Sequence, residues 1–552
     1  MKLCNKMLSF LLAVILILLI IPLTASAATI SGKCGENLTW YLDENTGVFT
    51  ISGEGAMENY EDITYSNSPP WEYKKNYIKK VIIENGVTTI GDYAFDMCHN
   101  LVEIVIPESV IEIGSYSLIS NGLNNITIPS SVTVLKYRFA DYDQDITYKG
   151  SSTEWLELRN NSYSELNKYF VKCLDKMFFP TGSCGENVTW ELNPLTNCMT
   201  ISGIGPMDDS HSYYNQSGMF LHYLSRIHTV IINDGVESIG DYVFAGCPNL
   251  TNVSIPGSII RIGERAFGDC AKLETVILPE SVVEIGSSAF AGCYMLKTIT
   301  IPASVTTIGA GAFAAPESIF VAQGNQYYSS DKTGVLFDKD KSVLIQYPSS
   351  SPKEYYEIPK NVKIISAGAF LNSKNLKGIS ISENVDSIGE SAFKNCAKLE
   401  SVEILGGINS IPRFAFYYCK NLQSVDIANG VKKIDSYAFD ECVNLKNINI
   451  PGSVTTIGEQ AFYNCKELRD IIIPDSVTSI GQYAFADSGI RNIVLGKGLT
   501  KIESHTFSDC TNLREIVVPE NTNIEISEEI KVKAEKTEKP EKPEKVEKAD
   551  KL

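Results

Sequence analysis

The chain has 552 residues, 44% of them apolar, and a formal net charge of −18 at neutral pH. That length allows several domains or one long repeat array. The acidic balance excludes the basic footprint that nucleic-acid binding requires, and it suits a soluble extracellular protein.

An export signal comes first. Lys2 and Lys6 form a basic head, Leu8 to Leu23 is almost wholly apolar, and Ala25-Ser26-Ala27 gives an A-x-A cleavage pattern before Ala28. This reads as a signal peptide over residues 1–27. The apolar run is shorter than the roughly 20 residues that a spanning helix needs. No second stretch of that kind follows. The mature chain is therefore expected to be secreted, or held at the cell surface, without an integral membrane segment. Losing Lys2 and Lys6 takes its charge to −20.

Residues 28–77 read as an N-terminal β cap. Within it, Leu38 to Trp40 and Thr50 to Met57 alternate about a turn near Asn45-Thr46-Gly47, a β-hairpin pattern. The segment recurs. Ser31 to Trp40 matches Thr181 to Trp190, and TISGEGAM (Thr50 to Met57) matches TISGIGPM (Thr200 to Met207). Residues 179–226 are thus a second β cap, with its turn near Pro194-Leu195-Thr196. Each cap stands before an array of repeats, whose first unit would otherwise expose its core.

The arrays cover 78–178 and 227–526. Their consensus is L-x-x-I-x-I-P-x-S-V-x-x-I-G-x-x-A-F-x-x-C-x-x. Its anchoring aromatics are Phe244, Phe267, Phe290 and Phe313, then Phe370, Phe393, Phe416, Phe439, Phe462, Phe485 and Phe507. Within each block the spacing is 23 residues, with one final step of 22. The short array carries Phe95, Leu118 and Phe139 in that slot. L-x-x-I-x-I alternates and predicts a short strand. Proline ends it, because proline cannot donate to a ladder. Ser281, Ser304, Asn361, Asn384, Gly430, Ser453 and Ser476 predict a polar ladder in the following turn. Glycine is expected to permit a tight bend. A-F-x-x-C-x-x-L spaces apolar groups as one helical turn would. Stacked units would bury together what one unit cannot.

These motifs resemble the BspA-type leucine-rich repeats of bacterial and some protozoan cell surfaces, from about Ile78 to Ile526. The resemblance implies a leucine-rich repeat solenoid of α/β class. Short parallel strands would line its concave face and short helical or 3-10 turns its convex face, in two arrays each preceded by a β-hairpin cap. It also implies adhesion to, or recognition of, proteins on host or other cell surfaces.

Two elements interrupt the repeats. The short array ends at Ser151, which has capping-box spacing to Glu154 and predicts a helix start. Trp155 and Leu156 are expected to cover the open end. In the long array, residues 314–357 read as an inserted hairpin repeat, GVLFDKDKSVLIQYP, with Asp338 to Lys341 at its tip. The last segment, 527–552, is rich in Lys, Glu and Pro and has little to bury, so it is expected to be disordered.

Fourteen cysteines in an exported chain suggest disulfides. Nine of them sit three residues after the anchor: Cys98, Cys247, Cys270, Cys293, Cys396, Cys419, Cys442, Cys465 and Cys510. Pro316, Ser373, Tyr142 and Ser488 hold that slot in other units, which argues for packing. A ladder of free thiols is expected. Cys184 and Cys198 could pair within the second cap. Cys34 has Val48 opposite, so the pair is not essential to a cap.

Motifs for chemistry are missing: no G-x-S-x-G, no H-E-x-x-H and no phosphate-binding glycine loop. His99, His211, His222, His228 and His505 have no companions at ligand spacing. Asp141, Asp143 and Asp145 resemble the start of a calcium loop, but Ile146 and Ser152 hold the places of its glycine and glutamate. No catalytic, cofactor or metal site is expected, and enzyme activity is not.

The outward strand positions remain as a binding face. Unit by unit they are Glu274, Thr275 and Ile277; Lys297, Thr298 and Thr300; Glu400, Ser401 and Glu403; Gln423, Ser424 and Asp426; Lys446, Asn447 and Asn449; Arg469, Asp470 and Ile472. The face is polar, mixed in charge and free of aromatics, which favours a protein partner over a glycan. No residue is singled out as a binding site. Two other readings stay open. The arrays could be a structural spacer of the cell envelope, or the Trp40 and Trp190 caps could capture carbohydrate.

Overall fold

The computed structural model describes residues 29–61, 67–162, 165–210, 220–313, 316–503, 505–520 and 524–525. The signal-peptide reading, the Lys/Glu/Pro tail and His211 lie outside them. The chain divides into two compact units, and the division falls within residues 182–197.

The repeats build a solenoid, each turn of which adds one short strand to each of two parallel ladders. The L-x-x-I-x-I segments form the first. Gly378–Ile381, Ser401–Ile404, Ser424–Ile427 and Asn447–Ile448 pair in parallel, in register at the repeat interval. The later Ile of the unit, followed by glycine in most rungs, belongs to the second, as in Ser410–Ile411, Lys433–Ile434, Thr456–Ile457 and Ser479–Ile480. Between the two, the polar ladder forms. The hydroxyls of Ser281, Ser304, Ser453 and Ser476 donate to the carbonyls of Ile259, Val282, Val431 and Val454 at 2.6–2.8 Å. Each carbonyl belongs to the preceding rung, so the serine ties rungs together where no strand does.

The A-F-x-x-C segment is a turn, not a helix, and it makes a third ladder. Two residues per rung take positive φ, four positions apart: Ser391 (56°) and Asn395 (57°), Tyr437 (63°) and Glu441 (62°), Gln460 (50°) and Asn464 (55°). Alternate amides then point at the next rung. Tyr437, Phe439 and Glu441 donate to the carbonyls of Glu459, Ala461 and Tyr463 at 2.8–3.0 Å. Inter-rung hydrogen bonds thus hold conformations that L-residues avoid. The repeat glycine plays a different part from the one expected. Gly286 does not have positive φ, but a Cβ there would lie 2.5 Å from the backbone of Glu264 in the preceding rung. It permits close approach rather than a bend.

Inside the ladders, the anchoring phenylalanines stack. Phe393, Phe416, Phe439, Phe462 and Phe485 are fully buried. Their ring centroids are 5.1–5.3 Å apart and the planes within 7° of parallel. One hydrophobic cluster runs from Val335 to Cys510. Burying a side chain of this size stabilises by about 1.5–3 kcal/mol, and the stack repeats that gain at every rung.

The cysteines follow the same logic. All those described are free. The thiols of Cys419, Cys442 and Cys510 donate to the carbonyls of Phe393, Phe416 and Phe485, one rung back, at 3.0–3.2 Å. Where serine replaces cysteine the hydroxyl still finds a carbonyl, as Ser373 does on Phe370 at 2.7 Å. Burial pushes the Cys98 thiol up to about 12, so it stays protonated and inert. Cys184 and Cys198 are both free.

Three devices close the arrays. In the first unit, Thr29–Lys33, Leu38–Asp43 and Val48–Gly53 form an antiparallel meander whose last strand pairs in parallel with Lys80–Ile83. The strands Thr181–Gly185, Val188–Asn193, Cys198–Gly203 and Thr229–Ile232 repeat that order. Trp71 stacks on Phe95 at 5.7 Å and Phe220 on Phe244 at 5.5 Å, so cap residues begin each phenylalanine column. At the far end of the first array stands the helix Ser152–Asn161. Its capping box is complete: Ser151 Oγ accepts from the Glu154 amide, and the Glu154 carboxylate accepts from the Ser151 amide at 2.7 Å. Trp155 is buried there with Leu158. Leu156, expected as its partner, is only half-buried, because three residues rather than one carry the chain back to the same helix face.

The hairpin is present in the long array. Leu336–Asp338 and Val343–Gln346 pair antiparallel about Lys339 to Ser342, and the second strand pairs in parallel with Ile364–Ile365. Tyr347 stacks on Phe370 at 4.9 Å and so begins the second phenylalanine column.

Candidate binding surface

The strand ladder has two sides. One contributes Val402, Ile404, Val425 and Ile427 to the core. The other presents three outward columns, two set by the alternation of the strand and the first by the residue just before it. The first reads Lys377, Glu400, Gln423, Lys446, Arg469, Arg491, Arg514. The second reads Gly378, Ser401, Ser424, Asn447, Asp470, Asn492, Glu515. The third reads Ser380, Glu403, Asp426, Asn449, Ile472, Val494, Val517. Strand pairing holds Ser401 beside Ser424 and Glu403 beside Asp426.

A shallow groove of about 470 Å³ lies on this face, lined chiefly by Ser401, Glu403, Ser424, Asp426, Lys446, Asn447, Asn449 and Asp470. The sequence placed all eight outward, and the structure brings them together. Asn449 shapes the groove's edge. Its side chain accepts from the Ile427 amide at 2.8 Å and donates to the Ile427 carbonyl at 2.9 Å, so a side chain stands where the strand would have continued. Glu403 and Asp426 are exposed and one rung apart. Their like charges favour a cationic group between them.

The outward residues of the earlier rungs, Glu274, Thr275, Ile277, Lys297, Thr298 and Thr300, are all exposed, with Ile277 at 82%. The face is not free of aromatics. Phe320 and Tyr355 point outward at 37% and 66% exposure, in strands on either side of the inserted hairpin that depart from the consensus.

The caps cannot present their tryptophans as a platform. Trp40 is 2% exposed and stacks on Phe49 at 5.5 Å, while Trp190 is 5% exposed and packs on Phe220 and Tyr223. These rings roof the first rung of each array, which corrects the carbohydrate reading.

A second surface escaped the sequence reading. Two residues before each anchor, the first left-handed position of the turn points its side chain to solvent. Tyr93 stacks on Tyr116 at 5.0 Å, Phe414 on Tyr437 at 4.9 Å, and Tyr483 on His505 at 5.2 Å. Arg413 lies 4.6 Å from the Phe414 ring centroid. Aromatic residues recurring at that slot were the available signal.

Among the described residues, neither the aspartates nor the histidines assemble a site. Asp141 accepts from the Ser120 amide at 2.7 Å, and burial raises its pKa. His228 Nδ1 meets the Arg226 carbonyl at 2.9 Å. Among the described residues, no cluster of His, Cys, Asp and Glu could hold a metal ion, and no helix is long and apolar enough to cross a membrane.

Comparison with known proteins follows the repeats. The family described as BspA type leucine rich repeat region, six copies, matches residues 71–174, 216–321, 349–465 and 432–548. Three solved structures are similar over most of their length. A leucine-rich repeat protein from Eubacterium ventriosum is 23% identical, covering 88% of this chain and 99% of that one, with a TM-score of 0.36. A leucine rich cell surface protein from Faecalibacterium prausnitzii is 21% identical, covering 90% and 95%, with a TM-score of 0.34. The pneumococcal vaccine antigen PcpA is 17% identical, covering 92% and 95%, with a TM-score of 0.32. No curated protein matches the chain.

Proposed function

Because the chain belongs to the BspA type leucine-rich repeat family, we propose that it is an exported surface protein that binds a protein partner through the strand face of its long array. The contact centres on the groove between Ser401 and Asp470. The observation that carries this reading is the groove itself. It is a continuous polar concavity across four rungs, on a side chain surface that packing of the core leaves unconstrained. Its lining of hydroxyls, amides and carboxylates, with no aromatic platform, fits polypeptide better than sugar. The signal-peptide pattern of residues 1–27 supports export.

The mature chain, residues 28–552, is expected to bind host or bacterial cell surfaces, with Glu403→Lys combined with Asp426→Lys weakening binding about tenfold or more, as reversed charges at an interface do. Retained binding in that variant would move the contact elsewhere. Loss on deleting residues 28–75 alone would assign it to the first cap. No binding to cells or matrix would favour a spacer.

A further inference from the structure

Towards the far end of the long array, the strand face changes character in two of its columns. In the first outward column, Lys446, Arg469, Arg491 and Arg514 occupy four consecutive rungs of a chain whose net charge is −18. The backbone fixes their alignment. The Arg491 amide donates to the Arg469 carbonyl at 2.6 Å, and the Arg514 amide to the Arg491 carbonyl at 2.8 Å. Arg469 has Glu467 at 3.2 Å. Arg491 and Arg514 are exposed and form no ion pair among the described residues. Asp470 and Glu515 in the next column offset part of this charge, and Asp470 already accepts from Asn492 at 2.5 Å.

In the third column, Glu403, Asp426 and Asn449 give way to Ile472, Val494 and Val517. Strand pairing aligns these three, and they are 69%, 38% and 40% exposed. The aliphatic column runs parallel to the cationic one, three residues along each strand, or about 10 Å away at the rise of a strand. Folding requires neither. The inward residues of the same strands, Ile471 and Ile493, already supply the core. Stacked like charges repel, and an ordered row of aliphatic side chains in water marks an interaction site when it is contiguous.

We propose that these last three rungs are a docking surface for an extended polypeptide segment with carboxylates along one edge and aliphatic side chains along the other. The paired columns select that occupant. A sulfated or phosphorylated polymer would satisfy the arginines and leave Ile472, Val494 and Val517 in water, whereas an acidic-aliphatic segment covers both. The assignment rests on the strand-face reading above and names the chemistry of the partner at its far end.

The test uses the mature chain and three fluorescent probes: a peptide alternating Glu and Leu, a matched peptide alternating Glu and Ser, and dextran sulfate. The Glu-Leu peptide is expected to bind most tightly. Arg491→Glu combined with Arg514→Glu should weaken it by about tenfold or more, Val494→Ser combined with Val517→Ser should bring it down to the Glu-Ser level, and Glu274→Gln, exposed on an earlier rung of the long array, should leave it unchanged. All the substituted positions are outward, and a circular dichroism melt equal to wild type confirms the fold of each variant. No binding of the Glu-Leu peptide, equal binding of all three probes, or indifference to the arginine reversals would each overturn the proposal. Cell-surface binding that falls in the Glu403/Asp426 variant alone would keep the broader reading and remove this one.

Discussion

Asp440 gives a sharp test of how the turns are packed. It directly follows the anchor Phe439, is only 6% exposed, and its Oδ1 has no hydrogen-bond partner. Burial, reinforced by the neighbouring Glu441 carboxylate, raises its pKa from 3.8 to about 7. The Tyr417 and Tyr463 phenols on the flanking rungs also sense its charge. A carboxyl whose folded pKa lies above its unfolded value keeps a proton that the unfolded chain releases. Below about pH 4 both states are protonated and residue 440 adds no pH dependence. Stability then falls as pH rises, and above about pH 7 the deficit is complete. At about 1.4 kcal/mol per unit, the shift corresponds to roughly 4 kcal/mol. Asp440→Asn removes the charge while keeping the shape. It should therefore stabilise the protein by up to about 4 kcal/mol near pH 8 and by little near pH 4. Urea titrations followed by circular dichroism, wild type against variant across that range, measure this. The difference between the two profiles isolates residue 440 from other buried acids such as Asp141. Equal stability of the two proteins near pH 8, or a less stable variant there, would refute the reasoning.

Three further outcomes follow from the ladders. Phe416→Ala removes a ring stacked on both Phe393 at 5.1 Å and Phe439 at 5.2 Å. It should cost about 3–5 kcal/mol, with amide exchange accelerating in the neighbouring rungs and not in the first array. Because the ladder thiols are fully buried, iodoacetamide should label none of Cys396, Cys419, Cys442 and Cys465 in the native chain, and reductant should leave the melting temperature unchanged. Ser151→Ala breaks the capping box and should destabilise the closing helix by about 1 kcal/mol, read as faster exchange in residues 152–161.

What was legible in the sequence was whatever depends on local period. The strands, the serine ladder, the phenylalanine column and the capping box each follow from residues whose role is set within one or two units. The turn was not. Apolar groups three and four apart suit a helix and suit this turn equally, so spacing alone could not separate them. A finer signal is present in the residue before several of the cysteines. Asp269, Gly292, Asn395, Asn464 and Asp509 are types that tolerate positive φ, and there the structure uses it. The repeat glycine is expected to permit a bend and instead permits close approach, because the distance between successive rungs is a tertiary quantity. The burial of Trp40 and Trp190 was likewise invisible, since the surface that receives them, Phe49 and Trp71 in one case and Phe220 and Tyr223 in the other, is assembled from separate segments.

The same separation explains why function is hard to read from any one residue here. Inward positions are nearly invariant from rung to rung because each must stack on its own copy. Outward positions stack on their copies too, but nothing in the core dictates their identity, so they can drift or be selected as columns. A partner lying across the rungs meets the column and not the residue. A single exposed charge contributes at most about 1 kcal/mol, which is small against the scatter of a binding assay. Aligned charges on adjacent rungs act on the same bound segment, and their effects combine. Reversing Arg491 alone should therefore do little, reversing Arg491 and Arg514 together should do much, and the run from Lys446 to Arg514 is meaningful because it is a run.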